Sequence, residues 1–283
     1  MTGMRGAALL LVLWLIVLLS ALVGAFALTA RIENQQGRVL ARGTVGDAAA
    51  RAGLEYALTR LVAPEPALQW QPDGRPYAWR FHDIEVEIRI VDETGKVDLN
   101  AAEAGLLTAL LHTVGAEPDV AARVAGALVD WRDEDDLVQA VGGAESGDYA
   151  AQGRPYGAKN APFETVAEVQ QVLGMTPALF EAAAPHLTVH GRLPAPDPQF
   201  ADAVVLQAMG VDADPILAAR AATGALLADA VLGGGSGTYS IDSRARLEGE
   251  RSARLRAVVR TGAGAVPGTA YSVLRWEEGA SPR

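Results

Sequence analysis

The chain of 283 residues contains no cysteine, so disulfide bonds and thiolate metal sites are excluded. Basic residues are also scarce: 24 lysines and arginines stand against 34 aspartates and glutamates, and the net charge is −10. A nucleic-acid-binding surface normally needs clustered lysine and arginine. The charge balance therefore argues against nucleic acid as a partner, whereas the missing cysteine fits any cellular compartment.

Charge is absent altogether from Ala7 to Leu28, and Ser20 is the only polar side chain in that run. An apolar helix of this length is roughly 30 Å long, which is enough to cross the hydrocarbon core of a bilayer. Arg5 and Gly6 stand directly before it. Two interpretations follow from this segment alone: a plain single-pass anchor, or a signal peptide cut at Ala25-Phe-Ala27. A third depends on a family resemblance, which is described below.

Proline is missing from the stretch that follows the apolar run. Between Arg31 and Val62 there is none, and the first break is Pro64-Glu-Pro66. From Leu54 to Leu61, leucines recur at the spacing of one helical face. We therefore predict one long N-terminal helix over residues 7–62, of which residues 7–28 lie in the membrane.

Alternation of apolar and polar residues marks the strands. Ile84, Val86, Ile88 and Ile90 fall on one side of a strict alternation, which predicts a half-buried strand. The other predicted strands are 78–81, 239–247, 253–260 and 271–276. The middle of the chain has helical patterns almost throughout. These patterns predict an α+β fold in which a large α-helical domain is inserted between the strands of an antiparallel sheet.

The helical middle contains an apparent internal repeat of a short helix, a glycine turn and a second helix, unless this is chance similarity between alanine-rich helices. In the first copy, Asn100 is predicted to cap a helix from Ala101 onward and Gly115 to end it. This opening also resembles helix-hairpin-helix DNA-binding modules, which present glycine amides and basic side chains to phosphates. Here Ala-Glu-Pro-Asp follows Gly115, so we predict no nucleic-acid binding.

Acids are concentrated in one stretch between the two copies, Asp130-Trp-Arg-Asp133-Glu-Asp135-Asp136, which Glu145 follows. Like charges so close together repel one another unless something offsets them. Oxygen ligands on a flexible loop suit Ca²⁺, which takes about six to eight of them. We predict a Ca²⁺ site formed by Asp133, Asp135, Asp136 and Glu145, although the loop length does not fit an EF-hand.

Two other interpretations of the acidic stretch stay open. An acidic helix end and a solvated loop could find counter-ions in Arg132, Arg154 and Lys159. A hydrolytic site would need a nucleophile or a base beside the acids, and none stands out. We therefore predict that the protein is not an enzyme.

The order of motifs in this region resembles that of one family. Gly143-Ala-Glu, Pro155-Tyr and Asn160-x-Pro-Phe follow the acidic stretch. Together with Val97-Asp-Leu-Asn and the apolar start, they resemble the K-type minor pseudopilin of type II secretion (general secretion pathway protein K). Two departures are Val138-Gln-Ala-Val, which replaces a proline-containing run, and the degraded second copy of the repeat. They leave the exact metal ligands open.

The resemblance implies how the N-terminus is processed. In this family a prepilin peptidase cuts after the glycine of a short basic leader, here Gly6, and methylates the new N-terminus, here Ala7. The mature helix usually carries a glutamate at its fifth position, where this chain has Leu11. A subunit at the tip of the fibre has no neighbour above it whose amine needs that acid, so Leu11 suits a tip subunit.

The resemblance also implies a function and a location. K-type subunits form the tip of the periplasmic pseudopilus with H-, I- and J-type minor subunits, above the major pseudopilin, and help to start its assembly. The tip is implied to contact the outer-membrane secretin or the exported proteins, and the helical insert to bind calcium. The protein would be a single-pass inner-membrane protein with a periplasmic C-terminal domain. The alternative is a membrane-anchored periplasmic binding protein with helix-hairpin-helix-like units.

Sequence patterns and resemblance together divide the chain into five segments. In order they are the prepilin leader, the N-terminal helix, the first part of the pilin-like head, the inserted helical domain and the C-terminal strands of the head. Their predicted ranges are 1–6, 7–62, 63–94, 95–233 and 234–283.

Overall fold

A single long helix forms the N-terminal part of the protein. The computed structural model describes residues 4–226, 235–247, 249, 251–262 and 270–280. Helix α1, Met4–Leu61, has 58 residues. Within it, Leu9–Thr29 is long and apolar enough to cross a membrane, and none of that segment is buried against the rest of the protein. The helix ends before Pro64, as the proline-free stretch predicts, because proline interrupts helical hydrogen bonding.

An antiparallel hairpin follows α1. Its strands are β1, Asp73–Phe81, and β2, Ile84–Asp92. The alternating isoleucine and valine side chains of β2 lie on the side that packs against α1, as the sequence pattern predicts. Strand β1 begins earlier than the predicted range 78–81 and includes Pro76. Proline is tolerated there because β1 lies at an edge of the sheet.

A helical insert follows β2. Its elements, in chain order, are β3 Val97–Asp98, α2 Ala104–Thr113, α3 Pro118–Arg132, α4 Ser146–Ala151, α5 Pro177–Ala183, β4 Leu187–Thr188, α6 Ala203–Ala208 and α7 Ala213–Leu226. Short 3-10 turns occur at Glu93–Gly95, Val166–Gln171 and Ala184–His186. Strands β3 and β4 pair in parallel, which joins the start of the insert to a segment in its second half.

One helix start differs from the prediction. Helix α2 begins at Ala104, and Asn100 does not cap it. The Asn100 side chain instead bonds to the backbone of Phe163, donating to its carbonyl at 2.9 Å and accepting from its amide at 2.7 Å. The Asp98 carboxylate holds the backbone of Asn100 in a turn, so the helix cannot start there. Gly115 follows the end of α2 as predicted, with a φ of +105°.

The chain returns to the sheet through β5, Thr238–Arg246, β6, Ser252–Thr261, and β7, Tyr271–Ala280. The five strands are antiparallel and have the order β1-β2-β5-β6-β7. Because β2 and β5 are neighbours, the insert is a long excursion between two adjacent strands, as predicted. The predicted boundary between residues 233 and 234 lies outside the described residues.

The head and the insert have separate hydrophobic cores. Helix α1 packs across the sheet through Leu54 and Leu58, against Ile88, Ile90 and Ile241. The large side chains that are fully buried in the insert core are Leu99, Leu107, Leu110, Leu111, Leu128, Tyr149 and Leu206. Each fully buried leucine contributes about 1.5–3 kcal/mol. Each part therefore buries a substantial apolar surface within itself.

A buried polar cluster joins the two parts. The Glu93 carboxylate accepts hydrogen bonds from Lys96 Nζ at 2.6 Å and from the hydroxyls of Thr188 on β4 and Ser240 on β5. Burial of Glu93 opposes its charged form, but the charge and hydrogen bonds of its partners together lower the pKa. Glu93 therefore remains ionised and fixes the insert beside the sheet.

Candidate metal centre and relation to known proteins

Three carboxylates meet where α3 ends and α4 begins. Asp130 lies in the last turn of α3, Asp133 directly follows that helix, and Glu145 directly precedes α4. Each offers one oxygen atom, and these atoms all lie within 4.8 Å of one another. Asp130 and Glu145 are buried. Acids at the C-terminal end of a helix face the negative end of its dipole, so a nearby cation would stabilise them.

Aromatic packing brings the two helix ends together. Trp131 at the end of α3 contacts Tyr149 of α4, with their ring centroids 5.8 Å apart, and both side chains belong to the insert core. Asp130 and Asp133 are three residues apart, so they share one side of the helix end. Burial of Tyr149 places the start of α4, and with it Glu145, beside those two aspartates.

Three of the six carboxylate oxygens in this group have no donor within the part of the chain that the structure describes. Asp130 accepts from the backbone amide of Ala144 at 2.8 Å and from that of Gln139 at 3.2 Å. Asp133 Oδ1 and both oxygens of Glu145 are buried and have no hydrogen-bond partner among the described residues. A buried acceptor without a donor costs about 1–3 kcal/mol, and more when it is charged. These oxygens therefore point to a ligand that the chain itself does not supply.

Burial and, after it, mutual repulsion raise the pKa values of the same acids. Burial, followed by the charges of Asp130, Asp133, Asp136 and Asp135, raises the pKa of Glu145 to about 7. Burial is also the largest cause of the raised pKa values of Asp133 and Asp130. A bound divalent cation would reverse these shifts, because it favours the ionised carboxylates.

The structure brings together two of the four predicted ligands. Asp133 and Glu145 belong to the group, whereas the carboxylates of Asp135 and Asp136 lie outside it. Asp135 accepts from the backbone amide of Leu137 at 2.9 Å, and both aspartates are exposed. Their charges still raise the pKa of Glu145, so they lie near the centre. Their role as ligands stays a prediction.

Sequence patterns did not predict a role for Asp130, which belongs to the carboxylate group, or for Asn160, which bonds to Asp136 beside it. Asp130 belongs to the acidic stretch but not to the predicted ligands, although its i, i+3 spacing from Asp133 is a signal that both lie on one side of a helix. Asn160 has a left-handed backbone, with a φ of 51°, and its Oδ1 is buried without a partner. Its Nδ2 donates to Asp136 at 3.1 Å. No local pattern marks Asn160 as a ligand.

Two of the three candidate counter-ions, Arg132 and Lys159, bond elsewhere. Arg132 donates to the carbonyl oxygens of Leu99 and Ala102, and Lys159 pairs with Glu168 at 2.8 Å. Within the described ranges, no ion pair involves Asp130, Asp133 or Glu145. A set of carboxylate oxygens without a paired cation fits a hard divalent ion such as Ca²⁺.

The predicted processing site lies in the first turns of α1. The helix includes Gly6 and Ala7, and Leu11 is exposed on the apolar segment. The structure shows neither cleavage nor methylation, so both stay predictions.

Similarity to known proteins decides the family. Residues 88–192 match the family model described as Type II secretion system (T2SS), protein K. The Type II secretion system protein K of Klebsiella pneumoniae is 31% identical over 254 residues, which are 78% of this chain and 76% of that protein. The chain belongs to the type II secretion system protein K family. This confirms the resemblance read from the motifs, and the matched range contains the whole candidate metal centre.

Two further similarities agree with the family. Protein K of Pectobacterium carotovorum subsp. carotovorum is 26% identical over 206 residues, 65% of this chain and 62% of that protein. The crystal structure of the GspK–GspI–GspJ complex from enterotoxigenic Escherichia coli matches with a TM-score of 0.55 and 20% sequence identity. The match covers 89% of this chain and 99% of that chain. It confirms the pilin-like α+β fold, and the family assignment makes this protein a minor pseudopilin.

Proposed function

We propose that this protein forms the tip of the type II secretion pseudopilus and helps to initiate its assembly for protein export across the outer membrane. The observation that carries the proposal is the combination of an exposed apolar half of α1 with a head that contains the protein K insert. Its role is structural, and no enzymatic activity is proposed.

The proposed partners follow from the same architecture. The similar solved structure is a complex with GspI and GspJ, which supports I- and J-type minor pseudopilins as direct partners here. The H-type subunit and the major pseudopilin would be further partners within the fibre. Contact with the outer-membrane secretin and with exported proteins is proposed for the head, because the head would lead the growing fibre. No nucleic-acid partner is proposed for a chain of net charge −10.

Processing by prepilin peptidase would release the helix for assembly. Cleavage after Gly6 and methylation of Ala7 would leave a mature chain that starts with the apolar segment. The protein would first sit in the inner membrane as a single span with its head in the periplasm. Leu11 supports a place at the tip, since an apolar residue is less costly than a glutamate in lipid when no neighbouring amine requires the acid.

Calcium would stabilise the insert. Asp130, Asp133 and Glu145 would hold the ion, and Asp135 and Asp136 are the further predicted ligands. The bound ion would neutralise repelling carboxylates and tie the start of α4 to the end of α3. The support is the unpartnered buried oxygen atoms of Asp133 and Glu145.

Intact mass of the protein extracted from membranes tests the processing step. We expect loss of Met1 to Gly6 and the gain of one methyl group on Ala7. A Gly6→Ile variant is the matched control, and we expect it to keep the leader. An uncut wild-type chain, or a cut near Ala27, would reject processing as a pseudopilin.

A further inference from the structure

Three large apolar side chains project from one short loop of the insert. Leu137, Val138 and Val141 are 75%, 51% and 71% exposed. Among the described residues of the insert, the next most exposed large apolar side chain is Leu193, at 39%. Single exposed apolar residues are normal on protein surfaces, whereas several close together mark an interaction site more often. Here three occur within five consecutive residues. The segment Leu137–Val141 is called the apolar loop below.

Hydrogen bonds to one buried carboxylate anchor the apolar loop and the chain that follows it. The Asp130 carboxylate accepts from the amide of Gln139, inside the loop, and from that of Ala144, just after it. Because Asp130 is fully buried, these bonds fix the loop to the body of α3. The exposed side chains are therefore presented by an anchored backbone.

Glycines let the chain after the loop cross α3 closely. Gly142 and Gly143 have φ values of 77° and 101°, a backbone that glycine adopts without strain. A Cβ atom on Gly126 of α3 would lie 2.5 Å from the Gly143 nitrogen and 2.8 Å from the Val141 oxygen. This close crossing sets the direction in which the loop leaves the helix. An anchored binding segment loses less conformational entropy when a partner binds.

Acidic residues border the loop on its N-terminal side. Glu134, Asp135 and Asp136 are exposed. Glu134 is not a predicted calcium ligand, so the apolar group has a negative edge whether or not the two aspartates hold the ion. Complementary charge at an interface favours a partner of opposite sign. Anionic lipid headgroups would be repelled, as would the same surface of a second copy. The chemistry that fits is a protein surface with an apolar recess bordered by lysine or arginine.

We propose that the apolar loop is a docking element that inserts Leu137, Val138 and Val141 into an apolar recess with a basic border on a periplasmic protein. The inference deepens the proposed function, because the loop would be the part of the tip that engages a component outside the fibre. Burial of each side chain supplies hydrophobic free energy, and the acids set the orientation of the partner.

Site-specific photo-cross-linking in the native host tests the docking element in the full chain. A photoreactive amino acid replaces the exposed Ala140, which leaves the three apolar side chains intact. The same substitution at the exposed Glu181 on α5 is the control position. We expect a protein adduct from position 140 whose cross-linked peptide, identified by mass spectrometry, carries apolar residues beside lysine or arginine.

Variants of the loop separate docking from folding. Leu137→Ser with Val138→Ser and Val141→Ser should lower the adduct yield about tenfold or more, equivalent to about 1.4 kcal/mol or more. Replacing the same three residues with isoleucine should preserve the adduct. Glu134→Lys should lower the yield severalfold, because it reverses a charge at the border. The Glu134→Lys variant and the wild-type adduct decide the question even if the serine variant does not fold.

The outcomes are distinct for the loop and for the proposed function. The docking inference would be overturned if the adduct at position 140 were no stronger than the adduct at position 181. It would also be overturned if the cross-linked partner were a lipid, an acidic peptide or a second copy of this chain. Co-purification with the I- and J-type subunits is measured on the same membranes. If the wild-type protein does not co-purify with those subunits, the proposed function is rejected. If it co-purifies but gives no adduct at position 140, only the docking element is rejected.

Discussion

The Glu145 carboxylate is buried, yet it has no hydrogen-bond partner among the residues that the structure describes. Its pKa is raised to about 7 by burial and by the neighbouring aspartates. A divalent cation would supply the missing partner and remove the repulsion. The ionised acid is therefore stabilising with the cation and destabilising without it.

We expect the effect of Glu145→Gln on stability to change sign with calcium. In chelator the variant should unfold at a higher temperature than the wild type, because the neutral amide removes like-charge repulsion. In excess Ca²⁺ it should unfold at a lower temperature, because a ligand is lost. Calcium at a hundred times its Kd stabilises the folded state by about 2.7 kcal/mol. Differential scanning calorimetry of the full chain under both conditions measures the reversal.

The exposed neighbour Glu134 provides the matched control. Glu134→Gln should leave the difference in unfolding temperature between calcium and chelator unchanged. Asp133→Ala combined with Asp135→Ala should abolish that difference. A wild-type protein whose unfolding temperature does not respond to chelator would contradict the calcium site.

Gly126 is predicted to control the same site through backbone packing. Gly126→Ala should destabilise the insert by about 1–3 kcal/mol, because the new methyl group overlaps the chain that crosses α3. It should also weaken the stabilisation by calcium, since the displaced segment leads to Glu145. Chemical denaturation with and without Ca²⁺ measures both effects.

Gly105 on α2 is the comparison for this substitution. A Cβ atom there meets nothing within 4 Å, so Gly105→Ala should raise stability by up to about 1 kcal/mol through helix propensity. Equal effects of the two substitutions would show that close packing at Gly126 is unimportant.

At the scale of elements, the sheet was the best-predicted part of the fold. The alternation in β2 depends on neighbouring residues only, and the structure places its apolar side chains against α1. The start of α2 was predicted wrongly because Asn100 bonds to Phe163, a residue far along the chain. Asn100 was identified correctly as a hydrogen-bonding side chain, but packing of the insert decided that its partner is Phe163.

The Glu93 cluster, which joins the insert to the sheet, predicts that the folded protein loses stability in acid. The pKa of Glu93 is lowered in the folded protein despite the opposing effect of burial. Its stabilising contribution is therefore complete above the ordinary value of 4.5 and is lost as the pH falls below it. Glu93→Ala should cost about 3 kcal/mol at neutral pH, because it leaves the partly buried Lys96 ammonium without its partner.

Denaturation of Glu93→Ala and wild type between pH 7 and more acidic conditions checks this prediction. We expect the difference in unfolding free energy to shrink as the pH is lowered. Glu181→Ala, at an exposed site on α5, is the control and should differ little from wild type at every pH. A difference between Glu93→Ala and wild type that does not depend on pH would contradict an ionised Glu93.

At the scale of the whole molecule, two cores are connected by a small polar junction. We expect the insert to open without unfolding of the sheet, because each part buries its own apolar side chains. Hydrogen exchange in chelator should therefore accelerate in α3 and α4 and remain slow in β2 and β5. Equal acceleration in both parts would show that they unfold as one unit.

Patterns in the sequence were sufficient to predict the apolar segment, the long helix, the strands around a helical insert and the family. Periodicity and motif order depend on residues close together in the chain, so they are readable without coordinates. This is why the acidic stretch was recognised as the site of interest before its geometry was known.

Folding in three dimensions brings together acids that are not adjacent in the chain. Asp130 joins Asp133 and Glu145 because packing of Trp131 against Tyr149 brings two helix ends together. The anchored apolar loop and the Glu93 junction likewise depend on contacts between distant segments. Such contacts depend on close packing of side chains in the core. Local sequence patterns do not show which distant side chains pack together.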